Sequence, residues 1–202
     1  MAKLKLFSGM DFSGKSTVVR LINAALPNKF QINHNFLSHE LNDIQRVSRL
    51  KIWPSDDEWW LMVFKVLAKD SNTIINAPIL QDTLWGIKYL ARQEVNFNSQ
   101  HLSKLSKLKK IIQNYPSADS FYLTTSMDER LKRFSIRQKS GTKITGSDKL
   151  ILDPDKFLNT EKKYQELIRL IFPNTIIIDT TFYTPNETAK IIMETTEFQK
   201  NI

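Results

Sequence analysis

The chain has 202 residues with 29 Lys+Arg against 21 Asp+Glu, a formal net charge of +8, and no cysteine. At about 150 residues per domain this is one domain's length, and 41% hydrophobic with 25% charged residues supplies a core that a disordered polymer lacks. The missing cysteine excludes disulfide scaffolds, cysteine zinc sites, iron–sulfur clusters and thiol catalysis.

No internal repeat, low-complexity tract or Gly/Ser linker divides the sequence, so a single domain over residues 1–202 is expected, and with no segment approaching the roughly 20 apolar residues of a membrane span a cytoplasmic location is expected. A strand over residues 4–7 runs into Ser8-Gly9-Met10-Asp11-Phe12-Ser13-Gly14-Lys15-Ser16-Thr17, and Val18, Val19, Leu21, Ile22 and Ala25 then recur at helical spacing until Pro27. Further strands are predicted over 30–36 and 73–80. Between them Asp56-Asp57-Glu58 opens a helix whose acids suit its dipole, with Trp59, Trp60, Val63, Phe64 and Leu67 along one side. Strands follow at 121–123 and 175–179, each flanked by helical patterns. Asp153-Pro154-Asp155 places an acid at a helix cap and proline in the first turn, and Phe157, Leu158, Tyr164, Leu167, Ile168 and Ile171 form the predicted core stripe. Alternating strands and helices imply a parallel sheet covered on both faces, a three-layer α/β protein.

Gly9-x-x-x-x-Gly14-Lys15-Ser16 fits G-x-x-x-x-G-K-[ST] between a strand and a helix, the context that gives this pattern meaning. The glycines let successive N–H groups turn toward one point, and the following helix directs its positive end there. A polyphosphate fits such a loop, with Gly9, Asp11, Phe12, Ser13, Gly14, Lys15, Ser16 and Thr17 as its binding residues. Lys15 would reach the β- and γ-phosphates, and the Ser16 hydroxyl would ligate Mg²⁺. The chain lacks the guanine-reading N-K-x-D of GTPases and the length of motor ATPases, which leaves a small kinase using ATP and Mg²⁺.

Gly9-Met10-Asp11-Phe12-Ser13-Gly14-Lys15-Ser16-Thr17 resembles the phosphate loop of nucleoside and nucleoside-monophosphate kinases, most of all the G-x-D-x-x-G-K-[ST]-T of thymidylate kinases. The resemblance extends in order over nearly the whole chain and implies a P-loop NTPase fold: a five-stranded parallel sheet, helices on both faces and an arginine-containing lid over about residues 137–153. It also implies that Asp11 faces the acceptor. Glu129-Arg130-Leu131-Lys132-Arg133-Phe134-Ser135-Ile136-Arg137 resembles the family's E-R-L-x-R-x-x-x-R entry to the lid. Guanidinium groups brought in by a closing lid stabilise the charge of the transferring phosphoryl group, and at spacings of three and four Arg130, Arg133 and Arg137 share a helix face. Lys15, Asp11, Arg133 and Arg137 are therefore the candidate catalytic residues, with Arg133 also on the nucleotide. The segment 178–185 resembles the family's last strand and the loop that borders adenine.

The chain departs from the family at two places. Where thymidylate kinases carry D-R-[YH] after the third strand, this chain has Gln81-Asp82-Thr83; Asp82 can serve beside Ser16 as the metal-side carboxylate, but Thr83 cannot replace an arginine fork. A family-like R-E-P is also missing, with Asn33-His34-Asn35-Phe36-Leu37-Ser38-His39-Glu40 in its place. A nucleoside monophosphate acceptor would need a relocated arginine such as Arg46, Arg49 or Arg92. A nucleoside or other small alcohol would need none, and Asp11 or Glu40 could then act as base. Trp60 and Phe64 are candidates for a wall against the acceptor base.

The stretch 99–112 reads as an amphipathic basic helix, with Leu102, Leu105, Leu108 and Ile112 on one side and four lysines between residues 104 and 110. It allows a second class of function, a nucleotide-binding protein that engages nucleic acid through this surface. The simpler reading is a core helix with solvated lysines. The expected partner is a small phosphoryl acceptor, nucleotide or nucleoside; neither nucleic acid nor membrane is expected, and a homodimer is left open.

Overall fold

The computed structural model describes residues 4–27, 31–33, 73–76, 118–142, 144, 148–195 and 198. Strand β1 (Leu4–Ser8) leads through the glycine loop to α1 (Lys15–Ala25), followed by the short strands β2 (Gln31–Asn33) and β3 (Thr73–Asn76). Strand β4 (Ala118–Thr124) feeds α2 (Met127–Lys139); a 3₁₀ segment, Asp148–Leu152, precedes α3 (Pro154–Ile171), and β5 (Ile176–Asp179) precedes α4 (Pro185–Glu194).

All strand pairs are parallel, in the order β2-β3-β1-β4-β5. The chain lays β2 and β3 on one side of β1 and crosses to place β4 and β5 on the other. In an open parallel sheet, a ligand crevice forms outside the carboxyl ends of the strands where the order reverses. That point is the end of β1, where the glycine loop starts.

Side-chain alternation along the strands divides the two faces. Phe7 and Phe121 stack at 5.2 Å between centroids and, with Leu123 and Ile178, meet Val18, Val19 and Ile22 of α1 and Ala189 and Ile192 of α4. Burying side chains of this kind contributes roughly 1.5–3 kcal/mol each, the main force holding the two helices on this face. On the other face Tyr122 packs edge-on against Tyr164 of α3 at 5.6 Å. On α3, Phe157, Glu161, Tyr164 and Ile168 are buried, the expected 3.6-residue stripe. Leu158, expected in that stripe, is 49% exposed because it lies one residue off it.

Asp153 caps α3 by accepting from the Lys156 N–H, with Pro154 in the first turn, as its sequence predicts. Lys5, fully buried on β1, pairs with its cross-strand neighbour Asp119 and lies over the Phe198 ring, which neutralises a charge within the sheet. No described helix is long and apolar enough to cross a membrane.

Candidate phosphate-binding site

The loop after β1 is built on three residues with positive φ: Gly9 at 139°, Phe12 at 64° and Gly14 at 88°. A Cβ at Gly9 would overlap the carbonyl oxygen of Leu123 on β4, so only glycine lets the loop leave the sheet so close to its neighbour strand. The Ser13 N–H closes the turn on the Met10 carbonyl at 3.4 Å, and the N–H groups of Thr17 and Val18 both reach the Gly14 carbonyl. The Lys15 ammonium curls back over the loop, donating to the carbonyls of Gly9 at 2.6 Å and Met10 at 3.0 Å.

The start of α1 differs from the other described α-helices. Ser126, Asp153 and Thr184 cap α2, α3 and α4 with side-chain oxygens, and each of those helices carries an acid in its first turn. Gly14 offers α1 no side-chain cap, and its first turn holds no acid. The first N–H groups of a helix carry partial positive charge and require an acceptor. An anion satisfies both demands at once, and the loop faces that end.

Helix α2 grips this loop. Arg133 Nη1 donates to the Phe12 carbonyl at 2.9 Å, and its Nε donates to Glu129 at 2.9 Å. The same guanidinium stands 3.3 Å from where a Gly14 Cβ would lie, at the mouth of the loop. Phe134 meets the Phe12 ring edge-on at 5.6 Å, Arg137 lies over that ring at 5.7 Å, and Arg137 also pairs with the buried Asp148 at 3.2 Å. Phe12 is thus a bulky residue held in a left-handed conformation by contacts from one helix.

Arg130, Arg133 and Arg137 all face the loop at Asp11 and Phe12, as their spacing predicts, but Arg130 is set apart by its burial. It is fully buried, with Nη1 on the Asp11 carbonyl at 2.9 Å, Nε on the Thr125 carbonyl at 2.9 Å, and Nη2 on Glu161 at 2.6 Å and Thr124 at 3.1 Å. Burial pushes its pKa below the usual guanidinium value, and the Glu161 carboxylate opposes that shift. A donor set so occupied inside the protein does not reach a nucleotide. Glu161 escaped the sequence reading, although its spacing from Phe157 and Tyr164 puts an acid on the buried face of α3, a signal that it has a cationic partner.

The loop after β5 completes the surroundings. Thr180 Oγ1 donates to the Ser13 carbonyl at 3.4 Å and to the Thr124 carbonyl at 3.0 Å, and Thr181 Oγ1 accepts from the Ser126 N–H at 2.8 Å. Next to them Phe182 is 90% exposed. Ser16 and Thr17 begin α1 in exposed positions, while Ser13 is buried.

The structure therefore brings together Gly9, Asp11, Phe12, Ser13, Gly14, Lys15, Ser16, Thr17, Arg133 and Arg137 at the end of β1 and the start of α1. Asp82, Thr83, His34, His39, Glu40, Arg46, Arg49, Trp60, Phe64, Arg92 and the basic helix over 99–112 lie outside the described residues. Among the described residues no cluster of three His, Asp or Glu side chains forms a metal site of its own. The donor set, one Ser16 hydroxyl beside a phosphate loop, suits a cation that shares its ligands with a bound triphosphate.

No protein-family model and no curated relative matches the chain. Among solved structures, YorR from Bacillus subtilis, in complex with phosphorylated GDP, superposes with a TM-score of 0.62 at 19% identity over 99% of both chains. Deoxyadenosine kinase from M. mycoides with bound dATP superposes with a TM-score of 0.56 at 14% identity, over 94% of this chain and 97% of that one. For thymidylate kinase from Candida albicans the values are 0.55 and 18%, over 99% and 93%. The chain has a P-loop kinase-like α/β fold, shared with these solved structures.

Proposed function

We propose that the protein is a phosphotransferase that moves the γ-phosphoryl group of ATP to a nucleotide, a nucleoside or a similar small hydroxyl acceptor. The observation that carries the reading is the glycine loop wound around an α1 N-terminus that lacks both a side-chain cap and an acid, with Lys15 lying over it. Similarity of fold to deoxyadenosine and thymidylate kinases supports the acceptor class.

In this reading the loop N–H groups and the α1 dipole hold the β-phosphate, and Lys15 leaves the Gly9 and Met10 carbonyls for the β- and γ-oxygens. Arg133, already at the loop mouth, meets the charge that develops on the transferring group. Arg137 reaches it by leaving Asp148 as the segment after α2 closes like a lid. Asp11 holds or deprotonates the acceptor hydroxyl. Phe182 and Tyr183 cover the donor base. Bound Mg²⁺, held by Ser16 and Asp82 with the phosphates, would neutralise charge on the β- and γ-oxygens.

Incubation with Mg·ATP and a panel of nucleosides, nucleoside monophosphates and other small alcohols tests the reading. Acceptor-dependent ADP formation with a phosphorylated acceptor as product supports it. Its absence across the panel counts against it.

A further inference from the structure

We propose that the buried Arg130–Glu161 pair positions the phosphate loop for phosphoryl transfer by fixing the main chain at Asp11, an inference that rests on the kinase reading above. Glu161 Oε1 accepts from Arg130 at 2.6 Å, from Thr124 Oγ1 at 3.0 Å and from the Tyr122 hydroxyl at 3.4 Å. The other edges of the guanidinium reach the Thr125 and Asp11 carbonyls, each at 2.9 Å. One side chain thereby joins three segments that are distant in sequence: the end of β4, the middle of α3 and the phosphate loop. The Phe157 ring, 4.9 Å from the guanidinium carbon, closes the group off from water.

A buried ion pair typically adds little net stability over apolar side chains of the same shape, whereas its directional bonds define one arrangement. Here the direction matters at a particular atom. The Asp11 carbonyl precedes Phe12, whose φ of 64° turns the loop back toward Gly14, and the next carbonyl along is held by Arg133. Two successive peptide units of the loop are thus fixed by two arginines of one helix. Fixing the Asp11 peptide sets the direction in which its Cα presents the side chain assigned to the acceptor. Arg130 is fully buried and touches no substrate, so it is a positioning residue.

Arg130→Lys tests this, because an ammonium keeps the charge but cannot span acceptors on three segments. The expected result is a fall in kcat of about 10- to 100-fold with KM for ATP within about threefold, since small misplacements of reacting groups cost on that order. Exchange of the Ser13 N–H, which closes the loop turn on the Met10 carbonyl, should rise by about tenfold or more while residues 121–123 on β4 keep wild-type protection. Glu161→Gln, which preserves shape and removes the charge, should shift both readouts in the same direction by less, and it carries the test if Arg130→Lys does not fold. Wild-type kcat with wild-type exchange overturns the proposal, as does exchange that rises equally in β4. A wild-type protein with no acceptor-dependent turnover refutes the kinase reading alone, and the exchange comparison still decides whether Arg130 fixes the loop.

Discussion

Arg133 donates to the main-chain carbonyl of Phe12 at 2.9 Å, so α2 holds the phosphate loop at the one described non-glycine residue with positive φ. Its other contact, the ion pair with Glu129 four residues earlier, is of a kind worth only about 0.3–0.5 kcal/mol at a surface. Losing the charge-assisted bond that helps hold the strained Phe12 should make Arg133→Ala cost roughly 1–2 kcal/mol, and kcat should fall by about 10²–10³-fold, the usual loss for one donor to a transition-state oxygen. Thermal melting and steady-state kinetics on the same preparation check this pair of outcomes.

Glycines with positive φ should separate by their surroundings. Gly141, at φ 71°, has no neighbour near its Cβ position, so Gly141→Ala should cost about 1–2 kcal/mol, the ordinary penalty of that conformation. A Cβ at Gly9 would overlap the Leu123 carbonyl oxygen, and Gly9→Ala should cost more than about 3 kcal/mol or prevent folding. Urea titration of the two variants measures the difference.

Two buried phenols set an alkaline limit on stability. Desolvation raises the pKa of Tyr122, with the Glu161 carboxylate adding to it, and desolvation raises that of Tyr164, with Asp11 adding to it. Folded values above the unfolded value of 10.0 mean that this contribution is complete below pH 10 and is lost as pH rises through the folded values. Absorbance at 295 nm should show part of the tyrosine signal appearing only with alkaline unfolding. Tyr122→Phe and Tyr164→Phe should each shrink that late step and leave the early phase intact.

At the other end of the pH range the α4 cap responds oppositely. Hydrogen bonds from the Thr184 backbone N–H and hydroxyl hold the Glu187 pKa below its model-peptide value of 4.5. A depressed folded pKa contributes stability above the unfolded value that is lost as pH falls through the folded one. The melting temperature of the wild type should exceed that of Glu187→Gln at pH 6, and the gap should narrow toward pH 3. A gap that widens on acidification contradicts this account of the cap.

The elements set by local chemistry were legible. The Gly9-to-Ser16 loop carries its own conformational demands, Asp153-Pro154 announces the start of α3, and the β-branched run ending at Asp179 reads as a strand. Strand β4 extends three residues ahead of its predicted start because Ala118, Asp119 and Ser120 pair with Leu4, Lys5 and Leu6 of β1, a contact invisible to local pattern. The roles of the α2 arginines were equally hidden. Spacing placed Arg130, Arg133 and Arg137 on one face, but their division between buried anchor, loop clamp and Asp148 partner depends on Glu161 and Asp148, brought in by later segments. Phe12 gave no warning of its positive φ, because that conformation is imposed by contacts with Arg133, Phe134 and Arg137.

The proposed function has the loop around Lys15 bind a triphosphate and serve its transfer. Transfer of label from γ-labelled ATP to acceptor, compared between the wild type and Lys15→Ala with Mg²⁺ present, tests it most directly. The wild type should yield a labelled nucleotide, nucleoside or related alcohol product, and the variant should lose at least about 10³-fold, with the fold intact by circular dichroism. Equal labelling by both proteins, or none by the wild type with any acceptor, would contradict it.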